Sequence, residues 1–362
     1  MGKRLSRLLV ILLCLALVPA FGAFASGDKE KTAGSNTTGK VAASGQVTQL
    51  TPEGYAIPVN MKPKKHLRIA ILGLENNPAW MPTKAAAADV NKELAAYDTT
   101  VDWIIPAEFH ESGAFGRAIE DCLTKKYDAI ATLAPDAGIV PFINKAVESG
   151  VPVATFNVET KEPNKRLFFV GADLYSQGQM AAEAMAKTLN GNGKVGIITG
   201  FFSVEGLEAR RLGFVDQLKK KYPGIQIVGQ VENHDQGDEA FNQTKDFMSA
   251  NPDLNGIYVT AGGPFGAGKA VVEAGKIGKV KVVCFDFVDE TMDGVKNGSI
   301  YATIGQDMYA QGHDPAVRLY NYLVAGIVPA DPKLFTNYDV VTKDNVDKYY
   351  IPGDPRKKRP PQ

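Results

Sequence analysis

Six apolar runs of strand length in this chain each end on, or lead directly into, a polar side chain. Asn77 follows the run 67–74, Asp136 follows 127–134, Asn157 closes 151–156, Thr260 closes 256–259, Asp286 closes 280–285 and Gln306 follows 300–305. In an open α/β sheet the carboxyl ends of the strands converge on one crevice, and ligands bind there. The repeated polar ending therefore describes a pocket before it describes any reaction.

Between these runs lie longer stretches of helical period. The runs 67–74, 101–105, 127–134 and 151–157 alternate with helical stretches 81–96, 113–125 and 138–149. A short strand at 167–171 leads across to a second alternation between 176 and 286. Strands separated by helices require parallel crossovers, so the expected class is α/β, with two doubly wound parallel-sheet lobes. The elements after Asp286 cannot build a third lobe and are expected to return to the first two sheets through a multi-strand hinge. The division expected is 66–172 with 307–332 in an N-terminal lobe, and 173–306 with 333–350 in a C-terminal lobe.

Both ends differ from this core. Residues 1–25 read as an export signal: Lys3, Arg4 and Arg7 precede an apolar run, and Ala23-Phe24-Ala25 has the small-x-small cleavage pattern. The periplasm is the expected location. Cys14 lies inside the apolar run, away from the cleavage point, so a lipid anchor is not indicated. Residues 26–64 are rich in Gly, Ser, Thr, Lys and Pro and read as a flexible tether, and 351–362 as an unpacked tail.

The chain has 40 basic and 40 acidic residues. Loss of the signal removes three basic residues and no acid, so nothing points to a nucleic-acid partner. Of its three cysteines, Cys122 and Cys284 fall within core elements far apart in sequence and read as buried apolar residues rather than a disulfide.

Enzymatic motifs are sparse. Gly263-Pro-Phe-Gly-Ala-Gly268-Lys269-Ala270 has the spacing of a phosphate loop between a strand and a helix, but Ala270 stands where a magnesium-binding hydroxyl belongs. The glycines read instead as a turn opening a helix. There is no G-x-S-x-G and no H-E-x-x-H. The four histidines, His66, His110, His234 and His313, lack ligand spacing and read as surface or loop residues; Asp235 with Asp238 and Glu239 reads as a loop and a helix start. No enzyme activity, cofactor or metal is expected.

Trp80, directly after the first strand, is either core or an apolar platform at the crevice rim on which a sugar ring could stack. Of the adjacent pair Arg210 and Arg211, only one can face the crevice, where its fork of donors suits hydroxyls or a carboxylate.

These residues carry a resemblance. The opening Asn76-Asn77-Pro78, the Arg210-x-x-Gly213-Phe214 helix, the Val283-Cys-Phe-Asp286 strand, and Ala302-Thr-Ile-Gly-Gln306 followed by Gln311-Gly312 are similar in order and spacing to the periplasmic sugar-binding proteins of ABC transporters. The similarity is to the ribose/galactose-binding class, related to lactose-repressor-type sensor domains, and runs from about residue 66 to 350.

The resemblance implies that Asn77, Trp80, Asn157, Arg210, Thr260, Asp286 and Gln306 line the cleft. Ribose-type members show Asp-Arg where this chain has Asn157-Val158, and Asn-Asp near Thr260-Ala261, which disfavours ribose itself. The implied function is that of a monomeric, non-catalytic receptor that captures a small ligand, a monosaccharide by preference, and delivers it to an ABC permease. The alternative is a sensor that reports ligand to a signalling partner.

Overall fold

The computed structural model describes residues 47–75 and 77–357; the expected export signal, the tether up to residue 46 and the last five residues lie outside them. The described core holds two six-stranded sheets, each wrapped by helices. In the first, β1 (Leu67–Leu72), β2 (Thr99–Ile104), β3 (Ala129–Thr132), β4 (Val153–Phe156), β5 (Phe168–Gly171) and β11 (Lys333–Phe335) are ordered β11-β5-β4-β3-β1-β2, all parallel. In the second, β6 (Gly193–Thr199), β7 (Ile225–Glu232), β8 (Gly256–Val259), β9 (Lys281–Phe285), β10 (Ala302–Gly305) and β12 (Asp339–Thr342) are ordered β12-β10-β9-β8-β6-β7, with only β12 antiparallel. This is the expected doubly wound architecture.

The inner strands β3, β4, β5, β8 and β10 are buried at every residue. Helices cover both faces of a parallel sheet, so such strands must be apolar throughout rather than alternating. Cys122 and Cys284 are buried free thiols in these cores.

Nine α-helices provide the crossovers: α1 (Met81–Ala95), α2 (Ser112–Thr124), α3 (Val140–Glu148), α4 (Leu174–Thr188), α5 (Glu205–Lys221), α6 (Gly237–Ala250), α7 (Pro264–Glu273), α8 (Asp289–Asn297) and α9 (Met308–Ala325) among the described residues. The chain passes between the lobes after β5, after β10, where α9 returns to pack on α1, and after β11. Placing residues 333–350 wholly in the C-terminal lobe is therefore corrected: Lys333–Phe335 adds an edge strand to the N-terminal sheet. Its side chains are largely exposed, so it leaves no apolar run to read.

The expected tether and tail also need correction where they are described. Between Thr48 and Met61 the chain lies along α9, with Ala56 N–H donating to Asp314 Oδ1 at 2.9 Å and Val59 N–H to Asn321 Oδ1 at 2.9 Å. Tyr55 is buried against Tyr309, ring centroids 5.1 Å apart. Beyond Tyr350, Arg356 donates to both carboxylate oxygens of Asp89 on α1, and Lys357 pairs with Asp289 on α8. These segments dock through isolated side chains and backbone groups, which have no periodicity to detect.

His313 on α9 is buried, not at the surface as expected. Its ring lies 3.1 Å from Asp314 and 3.0 Å from Glu93 on α1. Burial opposes its charge, but the two carboxylates overcome this and push its pKa up to about 9. A folded-state pKa above the unfolded value of about 6.5 adds stability that is complete below that pH and is lost as pH rises through about 9. We expect His313→Gln to remove a few kcal/mol of stability at pH 6 and far less at pH 9.5; denaturant titrations at the two pH values check this.

Candidate functional site

The carboxyl ends of the two sheets face each other, and the side chains they carry enclose a cavity. Its lining includes Asn77, Trp80, Asn157, Arg210, Asp286 and Gln306, together with His110, Asp235 and Met308. Six of the eight residues picked out by the strand-end pattern and the resemblance are thus brought together.

The other two are not side-chain liners. Asp136 caps the short turn before α3, accepting from Gly138 N–H at 2.7 Å. The Thr260 hydroxyl is 2.7 Å from that of Thr199, inside the sheet, and only its carbonyl faces the site, accepting from Arg210 Nη1 at 2.7 Å. A polar residue at a strand end can satisfy local backbone instead of entering the crevice, and sequence alone does not distinguish the two outcomes.

Local backbone conformation explains the residue types. Asn157 and Asp286 have left-handed φ values of 64° and 72°, and Asp235, after β7, has 59°. Asn and Asp tolerate this region better than other side chains bearing a Cβ. The strand thus turns abruptly at its last residue.

Arg210 is the electrostatic centre. Its guanidinium is buried 3.7 Å above the Phe285 ring centroid, and donates to the Thr260 carbonyl, to Gln177 Oε1 at 2.7 Å and to Gln306 Oε1 at 3.3 Å. Gln306 Nε2 in turn donates to Asp286 Oδ1 at 2.7 Å. Burial lowers the pKa of Arg210 and raises that of Asp286, and the attraction between the two opposes both shifts. Arg211 points outward to Glu208 and Gln230, as expected of one member of the pair.

The site is placed by close helix packing. A Cβ on Gly178 of α4 would sit 2.0 Å from the Arg210 carbonyl oxygen, and one on Gly213 of α5 would sit 2.1 Å from that of Tyr175. Only glycine at both positions lets α5 approach α4 closely enough to bring Arg210 over Phe285.

On the opposite wall Trp80 is almost wholly buried, packing in the N-terminal core edge-on to Phe156 at 6.2 Å, yet it still lines the cavity. Asn77 Oδ1 accepts from Ala79 N–H, so its amide is left to face the other lobe. There it meets Gly262, where a Cβ would lie 2.5 Å from Asn77 Nδ2.

His110 and Asp235 escaped the sequence reading. His110 follows β2 on a loop and lies 6.2 Å from the Trp80 ring, with neither ring nitrogen bonded among the described residues. Burial lowers its pKa, with Asp235 acting against this. Asp235 accepts from Gly262 N–H at 2.8 Å.

The phosphate-loop spacing is resolved differently. Gly268 and Lys269 lie inside α7, and Lys269 points to the Phe241 ring at 5.3 Å, so they form no loop around an anion.

The lobes are in contact around the cavity, and its side chains leave about 40 Å3 free. Three buried donor or acceptor sites on its lining residues have no partner among the described residues: Arg210 Nε and both His110 nitrogens. Unpaired buried polar atoms are expensive, so such a cluster is a place for hydroxyls.

Two doubly wound lobes with polar groups at their facing strand ends form the crevice in which such folds bind small ligands. Residues 70–326 match the family described as periplasmic binding protein domain, and the chain belongs to that family. A xylitol-binding protein of Mycolicibacterium smegmatis is 28% identical over 234 residues, 63% of this chain and 65% of that protein, so the match spans just under two thirds of its length. Among solved structures, GanP, a glucose-galactose binding protein from Geobacillus stearothermophilus, has a TM-score of 0.70 at 28% identity, over 78% of this chain and 99% of that one. A chain of the XylFII-LytSN complex has a TM-score of 0.69 at 26% identity, over 78% and 99%.

If Asp286 accepts from bound hydroxyls, Asp286→Asn preserves a residue tolerant of positive φ while removing the charge. We expect at least a tenfold loss of sugar affinity with little change in melting temperature; calorimetric titration of wild type and variant checks it.

Proposed function

We propose that this protein is an exported solute receptor that captures a monosaccharide or related polyol between its lobes and delivers it to an ABC permease. The observation that carries this reading is the convergence of Arg210, Asp286, Gln306, Asn157, Asn77 and His110 on one cavity between the lobes with donors still unpaired. Planar amide, carboxylate and guanidinium groups make paired hydrogen bonds with adjacent hydroxyls. Trp80 supplies an apolar surface for a ring face. Two of the proteins named above, the xylitol-binding protein and GanP, are binding proteins for a sugar alcohol and for sugars, which supports the same ligand class. Export rests on the signal pattern of residues 1–25.

A melting screen against xylose, ribose, allose, glucose, galactose and xylitol tests the ligand class. A ligand at ~100 times its Kd adds about 2.7 kcal/mol, a shift of several degrees. The same ligand should change tryptophan emission in wild type and in Trp103→Phe, but not in Trp80→Phe. A flat screen rejects the proposal.

Closure is held by a contact outside the cavity. Glu205, at the start of α5, accepts from the Thr160 hydroxyl at 3.1 Å and from Lys161 N–H at 2.7 Å on the other lobe. We expect Glu205→Ala to weaken binding about threefold to tenfold by favouring the open form, mainly through faster release, since exposed polar contacts are worth about 1 kcal/mol. Stopped-flow dissociation checks this.

A sensing role is the second reading, favoured by the XylFII-LytSN complex. Co-purification with a permease or with a signalling protein separates the two.

A further inference from the structure

A second cavity adjoins the first. It lies between the N-terminal turn of α1, the loop leading into α8 and the hinge after β10, and holds about 210 Å3. Ala79, Asp286, Gln306 and Met308 line both cavities and form the wall between them. Its outer wall is the tail segment containing Gly353, Asp354, Pro355 and Lys357. That segment is pinned to the N-terminal lobe by Arg356 on Asp89 and to the C-terminal lobe by Lys357 and Gly353 N–H on Asp289.

The two cavities differ in chemistry. Pro78, Met81, Pro82, Phe287 and Val288 supply much of the second one's surface. Of its acids, Asp307 accepts from Ala310 N–H, Asp289 from Gly353 N–H and Lys357, Asp354 from Arg356 N–H, Asp339 from the Tyr349 hydroxyl and Asp286 from Gln306, while Glu290 is exposed to solvent. A second sugar ring would find few free partners there. An apolar group can pack on these apolar side chains, and an apolar cavity of ~150 Å3 is enough to hold benzene.

We propose that this cavity is an annex of the sugar site, and that the physiological ligand is a sugar or polyol bearing an apolar substituent, an alkyl or aryl glycoside by chemical class. The inference rests on the sugar-binding reading above. The sugar occupies the polar cavity, and its substituent passes between Ala79 and Met308 into the annex.

The test is calorimetric titration of the full chain with xylose, glucose and galactose and with their methyl, butyl and phenyl glycosides. Burial is worth roughly fourfold in affinity per methylene. For at least one sugar the butyl or phenyl glycoside should bind at least about tenfold tighter than the free sugar. Val288→Phe, which fills the annex, should erase that gain and leave the free sugar within about twofold. A chain ending after Tyr350 lacks the outer wall and should erase it too, which keeps the test decisive if Val288→Phe fails to fold. Free sugars binding as well as or better than their glycosides would overturn the annex and leave the sugar site standing, as would a glycoside gain untouched by both variants. Binding of no sugar and no glycoside would overturn both readings.

Discussion

The structure of the cleft depends on one buried cation. Arg210 sits in low dielectric, where an unpaired charge is strongly unfavourable, so its surroundings must supply acceptors. They come from three directions: the Thr260 carbonyl at the end of β8, Gln177 on α4 and Gln306 at the end of β10. A single guanidinium therefore ties the end of the C-terminal sheet to a crossover helix and to the hinge. Phe285 beneath it adds a cation–π contact, and Asp286 balances its charge through Gln306.

The same network reaches the other lobe. Gln306 offers its carbonyl to Gln311 Nε2 and to the Thr336 hydroxyl, both at 2.8 Å, and Gln311 Oε1 accepts from Asn157. Two of the chain passages between lobes thus meet at one residue that also faces the cavity. Elsewhere the lobes touch through modest contacts. Val204, Leu207 and Ala261 of the C-terminal lobe join the apolar core of the N-terminal lobe, and Glu205 reaches Thr160. A closed state held by small contacts is one whose population a ligand touching both lobes can shift.

Much of this was legible in the chain. Strands buried on both faces must be apolar along their whole length, so the alternation of elements, and hence the class of fold, stood out. The polar strand ends stood out for the same reason, and six of eight named residues share one cavity. What escaped detection lacks periodicity: the edge strand β11, the segment docked on α9 by Asp314 and Asn321, and the tail held by Asp89 and Asp289. His110 escaped because a lone histidine in a loop looks the same whether it faces water or a cavity.

The sequence by itself determined the two-lobed α/β architecture and, at Asn157 and Asp286, the kind of side chain that ends a strand, since apolar periodicity and left-handed backbone are local properties that residue type controls. It also determined that Gly178, Gly213 and Gly262 carry no Cβ, but not why. Only the tertiary structure decided which polar groups meet. The close packing of α4 on α5, which leaves no room for a Cβ at Gly178, puts Arg210 over Phe285, the turn at Asp136 leaves it outside, and the packing of the two lobes brings His110 and Asp235 to one cavity. Those outcomes depend on distances between residues far apart in the chain, which packing sets and local preference does not.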